Sequence, residues 1–444
     1  MKGRAANSPS IAYESTRGRT PPTALHQAIL AGLAPDGGLY LPGTLPRFDA
    51  WRDLDATTTL DAVACALLQP FFLGDPLATH LRAACAAAYA EDAPLVPHAD
   101  GRTFELELFH GPTAAFKDYG ARFLAANLRA LRDDEEAPGS STVLVATSGD
   151  TGAAVGSAFE HAPGTRTIIL HPDGLVSPRQ AHQLGSFGGA VSSWRVQGTF
   201  DDCQRMVKEA FADSELRVRH ALTSANSISL ARLLPQMGYF AAAALRHAGA
   251  GGAPLSFAVP TGNLGNAVAC VVAKLVGMPI GKVLFAGNAN RAVLDWLMQD
   301  DASPRATIAT LANAMDVGAP SNLERLRVLV ASHPTLRADL EACSVDDEAI
   351  RATIVRGWRE LGRVWCPHTA CAAHAVLERR ARGDQRPWAI VATAHPAKFE
   401  TIVEPLIDRA VPVPPRLAAM LARPSRSRPM APHLAALRAA LEAD

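Results

Sequence analysis

VPTGNLGNAVACVV, residues 259–272, decides the architecture. An apolar run ends in a loop of two glycines and two asparagines, and a helix that is apolar nearly all round follows directly. Strand, tight loop and buried helix in that order are the repeating unit of an α/β sheet with parallel strands. Gly262 and Gly265 let the backbone turn and bring its N–H groups close to an anion, and the helix N-terminus adds partial positive charge. The loop therefore suits a phosphate. It lacks the third glycine and the G-x-G spacing of a dinucleotide fingerprint. GMPIGK (277–282) is too short for a P-loop, and Val283 stands where that motif needs a hydroxyl.

Working outward, short apolar runs before polar or Gly-rich turns recur at STVLVA (141–146), TIIL (167–170), WRV (194–196), LSFAV (255–259), KVLFAG (282–287) and WAIVATA (388–394). Helical patterns separate them, so the expected fold is α/β with open, mostly parallel sheets. FDDCQRMVKEAF (200–211) reads as a helix capped by Asp201 or Asp202. The first 95 residues differ: a Pro/Gly turn segment, then helical stretches near 56–68 and 76–90, which read as a separate, mainly helical N-terminal domain. The remainder divides into a large α/β domain of residues 96–130 and 225–444 and a smaller one of 131–224. Beyond Pro412, the arginines 423, 426 and 428 lie between prolines and read as a solvated linker before a helical tail.

Composition excludes several classes. The 444 residues are 48% hydrophobic and 19% charged, which is neither disordered nor fibrous. Lys plus Arg and Asp plus Glu are each 43, so the balanced charge argues against a nucleic-acid partner. No apolar run reaches the ~18 residues of a membrane span, and MKGRAANSPS lacks the apolar core of a secretory signal. The expected location is cytoplasmic. Seven scattered cysteines give no disulfide framework. Cys366, His368, Cys371 and His374 share one Ala-rich stretch and read as helix packing, with no metal site expected.

Three further stretches carry chemistry. VATSGDTGAAVGSAF (145–159) leads from a strand through a hydroxyl-rich loop into a helix. Thr147, Ser148, Thr151 and the loop amides can hold a carboxylate, although Asp150 is awkward there because its charge repels an anion. In LFHGPTAAFKDYGARFLAANL (108–128), Lys117 opens a helix in a chain with only six lysines against 37 arginines. A lysine beside Phe116 sheds its proton more readily and can form a Schiff base with an aldehyde. In VATAHPAKFET (391–401), Thr393 puts a hydroxyl at a strand's carboxyl end, where open α/β sheets bind ligands. A phosphate cradle, a carboxylate loop, a Schiff-base lysine and a strand-end hydroxyl are together the parts a pyridoxal-phosphate enzyme needs.

These stretches, in order with YESTRG (13–18), GLAPDGGLYLP (32–42), SANSISLARLLPQ (224–236), MDVGAPSNLERL (315–326), PHTA (367–370) and TAHPAKF (393–399), make the chain resemble the threonine synthases of the long bacterial and fungal type. The likeness runs from residue 13 to about 405. It implies the fold type II (tryptophan synthase β-like) pyridoxal-phosphate architecture, with pyridoxal 5'-phosphate as cofactor and Lys117 as the lysine that binds it. Gly262, Asn263, Leu264, Gly265 and Asn266 would hold the cofactor phosphate, and Thr393 the pyridine nitrogen. Thr147, Ser148, Asp150 and Thr151 would face the substrate carboxylate, and Asn226, Ser227 and Arg232 the substrate phosphate. The implied reaction converts O-phospho-L-homoserine and water to L-threonine and phosphate, in a monomer or homodimer with no membrane partner. A phospholyase giving 2-oxobutyrate, or a silent cofactor-binding paralogue, would share the same cofactor residues. Four positions depart from the common pattern: Ser229 and Leu230 where N-W is usual, Cys366 where Asp commonly precedes PHTA, and Leu264 where Phe is usual.

Overall fold

A computed structural model describes residues 10–134 and 140–443. The opening nonapeptide, most of the stretch read above for a secretory signal, lies outside them.

Two parallel sheets organise the chain. The larger has six strands in the order Leu340–Ser344, Ile280–Gly287, Leu255–Pro260, Trp388–Ala392, Thr103–Glu107 and Leu95–Pro97, and the last of these is antiparallel to its neighbour. The smaller has five parallel strands in the order Arg428–Met430, Val191–Val196, Thr165–Pro172, Ser141–Ala146 and Leu222–Ser224. Central strands are buried along their whole length: every residue of Leu255–Pro260 and of Trp388–Ala392 is buried, and all but Ser256 are apolar. That is why they read as continuous apolar runs rather than alternating ones. A short antiparallel pair, Tyr13–Ser15 with Tyr40–Pro42, stands apart. No helix among the described residues is long and apolar enough to cross a membrane.

Packing crosses the domain boundaries expected from sequence in two places. The N-terminal helices Leu60–Phe72 and Leu81–Ala88 pack on Gln236–Gly249 and Lys117–Asp133. Leu67, Phe71 and Phe72 thereby enter the same apolar core as Phe123, Phe240 and Val268. The N-terminal helices pack on each other as well as on the large sheet's helices, so the N-terminal segment shares an apolar core with the rest of the chain. The C-terminal tail packs on the small sheet. Arg428–Met430 adds a fifth strand to the small sheet, and helix Leu434–Glu442 packs on helix Phe200–Ala212.

The arginine-rich segment leads into that strand with Arg423, Arg426 and Arg428 exposed, as read from sequence, yet in contact with the small sheet's side of the protein. The Arg428 guanidinium lies 5.4 Å from the Trp194 ring, and Arg423 pairs with Glu160 at 3.0 Å. The helix at 200–212 also starts differently. Thr199 is its cap, and Asp202 accepts a hydrogen bond from the Thr199 amide. Because Leu437 is fully buried in the tail's contact with the small sheet, Leu437→Ala should lower unfolding free energy by about 2–5 kcal/mol, read by urea denaturation.

Candidate active site

The carboxyl ends of both sets of strands open on one cleft of about 930 Å³, counted with its mouth. Lys117, Thr147, Ser148, Asp150, Thr151, Asn226, Ser227, Arg232, residues 262–266 and Thr393 all line it. The structure thus brings together every site residue expected from sequence. Their hydrogen bonds separate groups that brace the loops from groups left free toward the cleft.

Lys117 begins helix Lys117–Asp133. Its position is set by the chain before it. Ala114 takes the left-handed conformation (φ 55°), Thr113 donates through its amide and hydroxyl to the buried Asp118, and Phe116 N donates to Thr393 O at 2.9 Å. Lys117 Nζ lies 4.6 Å from the Phe116 ring centroid and makes no hydrogen bond or ion pair among the described residues. Burial lowers its pKa to about 8, helped by the charges of Lys398 and Arg232 and opposed by Asp150. The cleft therefore presents an unpartnered amine close to neutrality.

The loop after Leu255–Pro260 is a backbone cradle. Leu264 is left-handed (φ 63°), and the amides of residues 262–266 find no backbone acceptor among the described residues. They precede or open helix Gly265–Leu275, whose first-turn N–H groups point outward. A Cβ on Gly262 would stand 2.5 Å from Met315 Cα and 2.8 Å from its carbonyl, so only glycine lets the loop lie against that chain. The loop's side chains are engaged elsewhere. Asn263 donates to Ser227 Oγ at 2.6 Å and accepts from Ser321 N at 2.6 Å; Asn266 donates to Pro260 O at 3.0 Å. Free amides around a cavity, with an orphan amine across it, fit the phosphate and aldehyde of pyridoxal phosphate.

Thr393 Oγ1 stands at the end of Trp388–Ala392, buried and lining the cleft, while Thr393 N donates to Thr369 Oγ1 at 3.3 Å. Thr147 behaves as a loop brace: its Oγ1 accepts from Gly149 N at 3.0 Å and Gly152 N at 2.8 Å. Asn226 Nδ2 donates to Ala146 O at 2.9 Å, leaving its buried Oδ1 without a partner. Arg232 is buried, donates through Nη1 to Ala225 O, and has an unpartnered Nε; burial lowers its pKa to about 10. It remains cationic at neutral pH.

The cleft also includes residues that sequence reading missed. Phe200 and Gln204 project from helix Phe200–Ala212, Gln236 from the helix after Arg232, and Met315 from the MDVG turn. The signal available for Phe200 was its place directly after a strand's carboxyl end. His368 accepts from Ala314 N at 3.1 Å, and burial pushes its pKa down to about 4, so it is a neutral wall of the cleft.

Comparison with known proteins gives three family profiles along the chain. They are "Pyridoxal-phosphate dependent enzyme" over residues 94–396, "Threonine synthase N terminus" over 12–89 and "Threonine synthase, C-terminal" over 369–441. The chain is 38% identical to the threonine synthase of Escherichia coli K12 over 414 residues, which is 93% of this chain and 95% of that one. The crystal structure of the Escherichia coli enzyme superposes with a TM-score of 0.87, at 36% identity, covering 97% of this chain and 99% of that chain. The pyridoxal-phosphate-bound threonine synthase of Brucella melitensis superposes with a TM-score of 0.86, at 34% identity and the same coverage.

Two measurements check the cradle and the amine. Gly262→Ala should weaken cofactor binding by about tenfold or more, read by equilibrium dialysis, because its Cβ meets backbone rather than a movable side chain. Only the unprotonated Lys117 attacks an aldehyde, so capture of pyridoxal phosphate by cofactor-free protein should slow below pH about 8 and level off above it. A half-maximal pH near the ~10.4 of an exposed lysine would contradict the burial argument.

Proposed function

The chain belongs to the threonine synthase family, a pyridoxal-phosphate-dependent lyase, and we propose how its residues divide the conversion of O-phospho-L-homoserine and water into L-threonine and phosphate. The carrying observation is the unpartnered amine of Lys117 in a cleft it shares with the free amides of residues 262–266.

Lys117 Nζ would hold the cofactor through its aldehyde carbon. The backbone of Gly262, Asn263, Leu264, Gly265 and Asn266 would hold its phosphate, and Thr393 Oγ1 its pyridine nitrogen. When bound, pyridoxal phosphate supplies an electron sink conjugated with the substrate's Cα. A hydroxyl at the pyridine nitrogen, in place of a carboxylate, leaves that nitrogen largely unprotonated and moderates the sink. Ser148, Thr151 and the amides that open helix Asp150–Phe159 would take the substrate carboxylate. Arg232, with Asn226 and Ser227, would take the substrate phosphate, since Arg232 is the buried cation whose Nε has no other use.

With the substrate held at both ends and its own amine in place of Lys117's, the freed Lys117 amine would take protons from Cα and Cβ as the phosphate leaves Cγ; Cγ would gain a proton, water would add at Cβ, and Cα would be reprotonated. An amine with a pKa of about 8 suits both directions of transfer, because neither of its forms is strongly favoured near neutrality. All seven cysteines are free, which suits a reducing compartment. On that ground we propose a cytoplasmic location.

Incubation with O-phosphohomoserine should release phosphate and threonine in equal amounts; 2-oxobutyrate without threonine would show a phospholyase instead. Borohydride reduction should fix the cofactor on the peptide carrying Lys117. Lys117→Arg should be inactive, since a guanidinium does not deprotonate to attack the aldehyde. Thr393→Ala should keep the bound chromophore and lose most turnover, as measured by phosphate release.

A further inference from the structure

Lys398 is 1% exposed and lies outside the mechanism above. Its Nζ donates to Asp150 Oδ1 at 2.7 Å and to Thr113 O at 2.7 Å. Asp150 Oδ1 also accepts from Gln180 Nε2 at 2.9 Å. The backbone around Lys398 is fixed in turn: Ser177 Oγ donates to Lys398 O at 2.6 Å, and Arg179 Nη1 to Ala397 O at 2.7 Å. One ammonium thus joins the loop 147–151, the turn that precedes Lys117, and the segment that follows Thr393.

Stability alone does not explain such a pair. Removing two charges from water largely offsets their attraction, and an apolar pair of similar size serves packing as well or better. The pair's position supplies the reason. Asp150 lines the cleft at the N-terminus of helix Asp150–Phe159, where free amides and hydroxyls favour an anion. A lone carboxylate there would cancel the helix terminus and repel a second carboxylate. With Lys398 behind it, the pair is neutral and the attraction of the amides survives.

We propose that Lys398 is a positioning residue for substrate: its ammonium neutralises Asp150, so that the loop carrying Ser148 and Thr151 can accept the substrate's carboxylate. The proposal rests on the assignment of that loop to the carboxylate. It also accounts for an aspartate in an anion site, which sequence alone left awkward.

The test measures affinity for the product, L-threonine, from the absorbance change of the cofactor-loaded protein, together with KM and kcat for O-phosphohomoserine. Lys398→Met should weaken threonine binding by about tenfold or more and raise KM in parallel, with a smaller effect on kcat. Adding Asp150→Asn to that variant removes the stranded charge and should bring affinity back to within about threefold of the parent. Unchanged affinity in Lys398→Met, or a double variant as weak as the single one, would reduce Lys398 to a structural tie. If Lys398→Met does not fold, Asp150→Asn alone decides the matter. It leaves the ammonium in place and should bind threonine at least as tightly as the parent, whereas weaker binding overturns the proposal. Failure of the parent protein itself to bind threonine would instead count against the assignment of the loop, independently of Lys398.

Discussion

A backbone clasp between residues 114–116 and 393–395 holds the catalytic arrangement together. Thr103–Glu107 and Trp388–Ala392 are neighbouring parallel strands, and their carboxyl ends continue into these two segments. There the chain reverses its pairing: Phe116 N donates to Thr393 O at 2.9 Å and His395 N to Ala114 O at 3.0 Å. Ala115 and Ala394 form an isolated antiparallel bridge. The reversal requires Ala114 to be left-handed, which costs about 1–2 kcal/mol for a residue with a Cβ. In return, the residue that opens the Lys117 helix and the hydroxyl at 393 are fixed relative to each other by main chain rather than by flexible side chains. The two residues that face each other at the bridge are both alanines, so little side chain stands at the pairing itself.

Around that clasp the protein arranges charge mainly through backbone dipoles. Two helix N-termini face the cleft, at Gly265 and Asp150, and each supplies amides without a helical acceptor. Buried cations are handled the same way. Arg325 is fully buried, and its guanidinium is held by the carbonyls of Tyr40, Ser227 and Ile228 and by Asn322 Oδ1, with no carboxylate among those partners. It thereby ties the N-terminal strand pair to the 226–228 segment, which Asn263 ties in turn to the glycine-rich loop. Asp150 is the exception: it carries a full negative charge at the cleft wall. Burial pushes its carboxyl up, but Lys398 and Lys117 hold it well below the usual carboxylate range.

The residues that face the cleft were legible in sequence because chemistry and punctuation coincide there. Gly262, Leu264 and Gly265 mark a loop where backbone approaches an anion, and a lysine among many arginines marks an amine that must lose a proton. The way each polar side chain is used was not legible. Thr147, Asn263 and Asn266 are residue types that bind ligands equally well, yet Thr147 and Asn266 brace their own loops and Asn263 ties its loop to Ser227 and Ser321. Such bracing depends on φ and ψ of neighbouring residues, which composition does not carry. Long-range partners were hidden for a related reason. Lys398 meets Asp150 across 248 positions, and Arg428–Met430 meets Val191–Val196 only after the chain has crossed the large sheet. A three-residue edge strand beginning Arg-Pro also has too little apolar pattern to announce itself.

The departures from the common family pattern acquire a physical meaning in this setting. Ser229 and Leu230 do not line the cleft; Ser229 is buried as the cap residue of helix Leu230–Leu233, and Leu230 faces the apolar core. Their substitution therefore alters how the helix is seated, while Arg232, one turn on, still reaches the cavity. Cys366 likewise stays behind the wall. Its Sγ accepts from Thr369 N at 3.4 Å and lies 3.2 Å from Thr369 Oγ1, the atom that receives the Thr393 amide. An aspartate at that position would add a buried charge beside Thr393, whereas burial raises the Cys366 thiol and keeps it neutral. Leu264 keeps the left-handed turn and buries its side chain fully, so the amides of the loop stay aimed as they are. None of these changes removes a group that touches the substrate's carboxylate, amine or phosphate in the arrangement proposed here. They act on the supporting layer, where a neutral thiol or a smaller apolar side chain is tolerated because the main-chain clasp, rather than that layer, sets the position of Lys117.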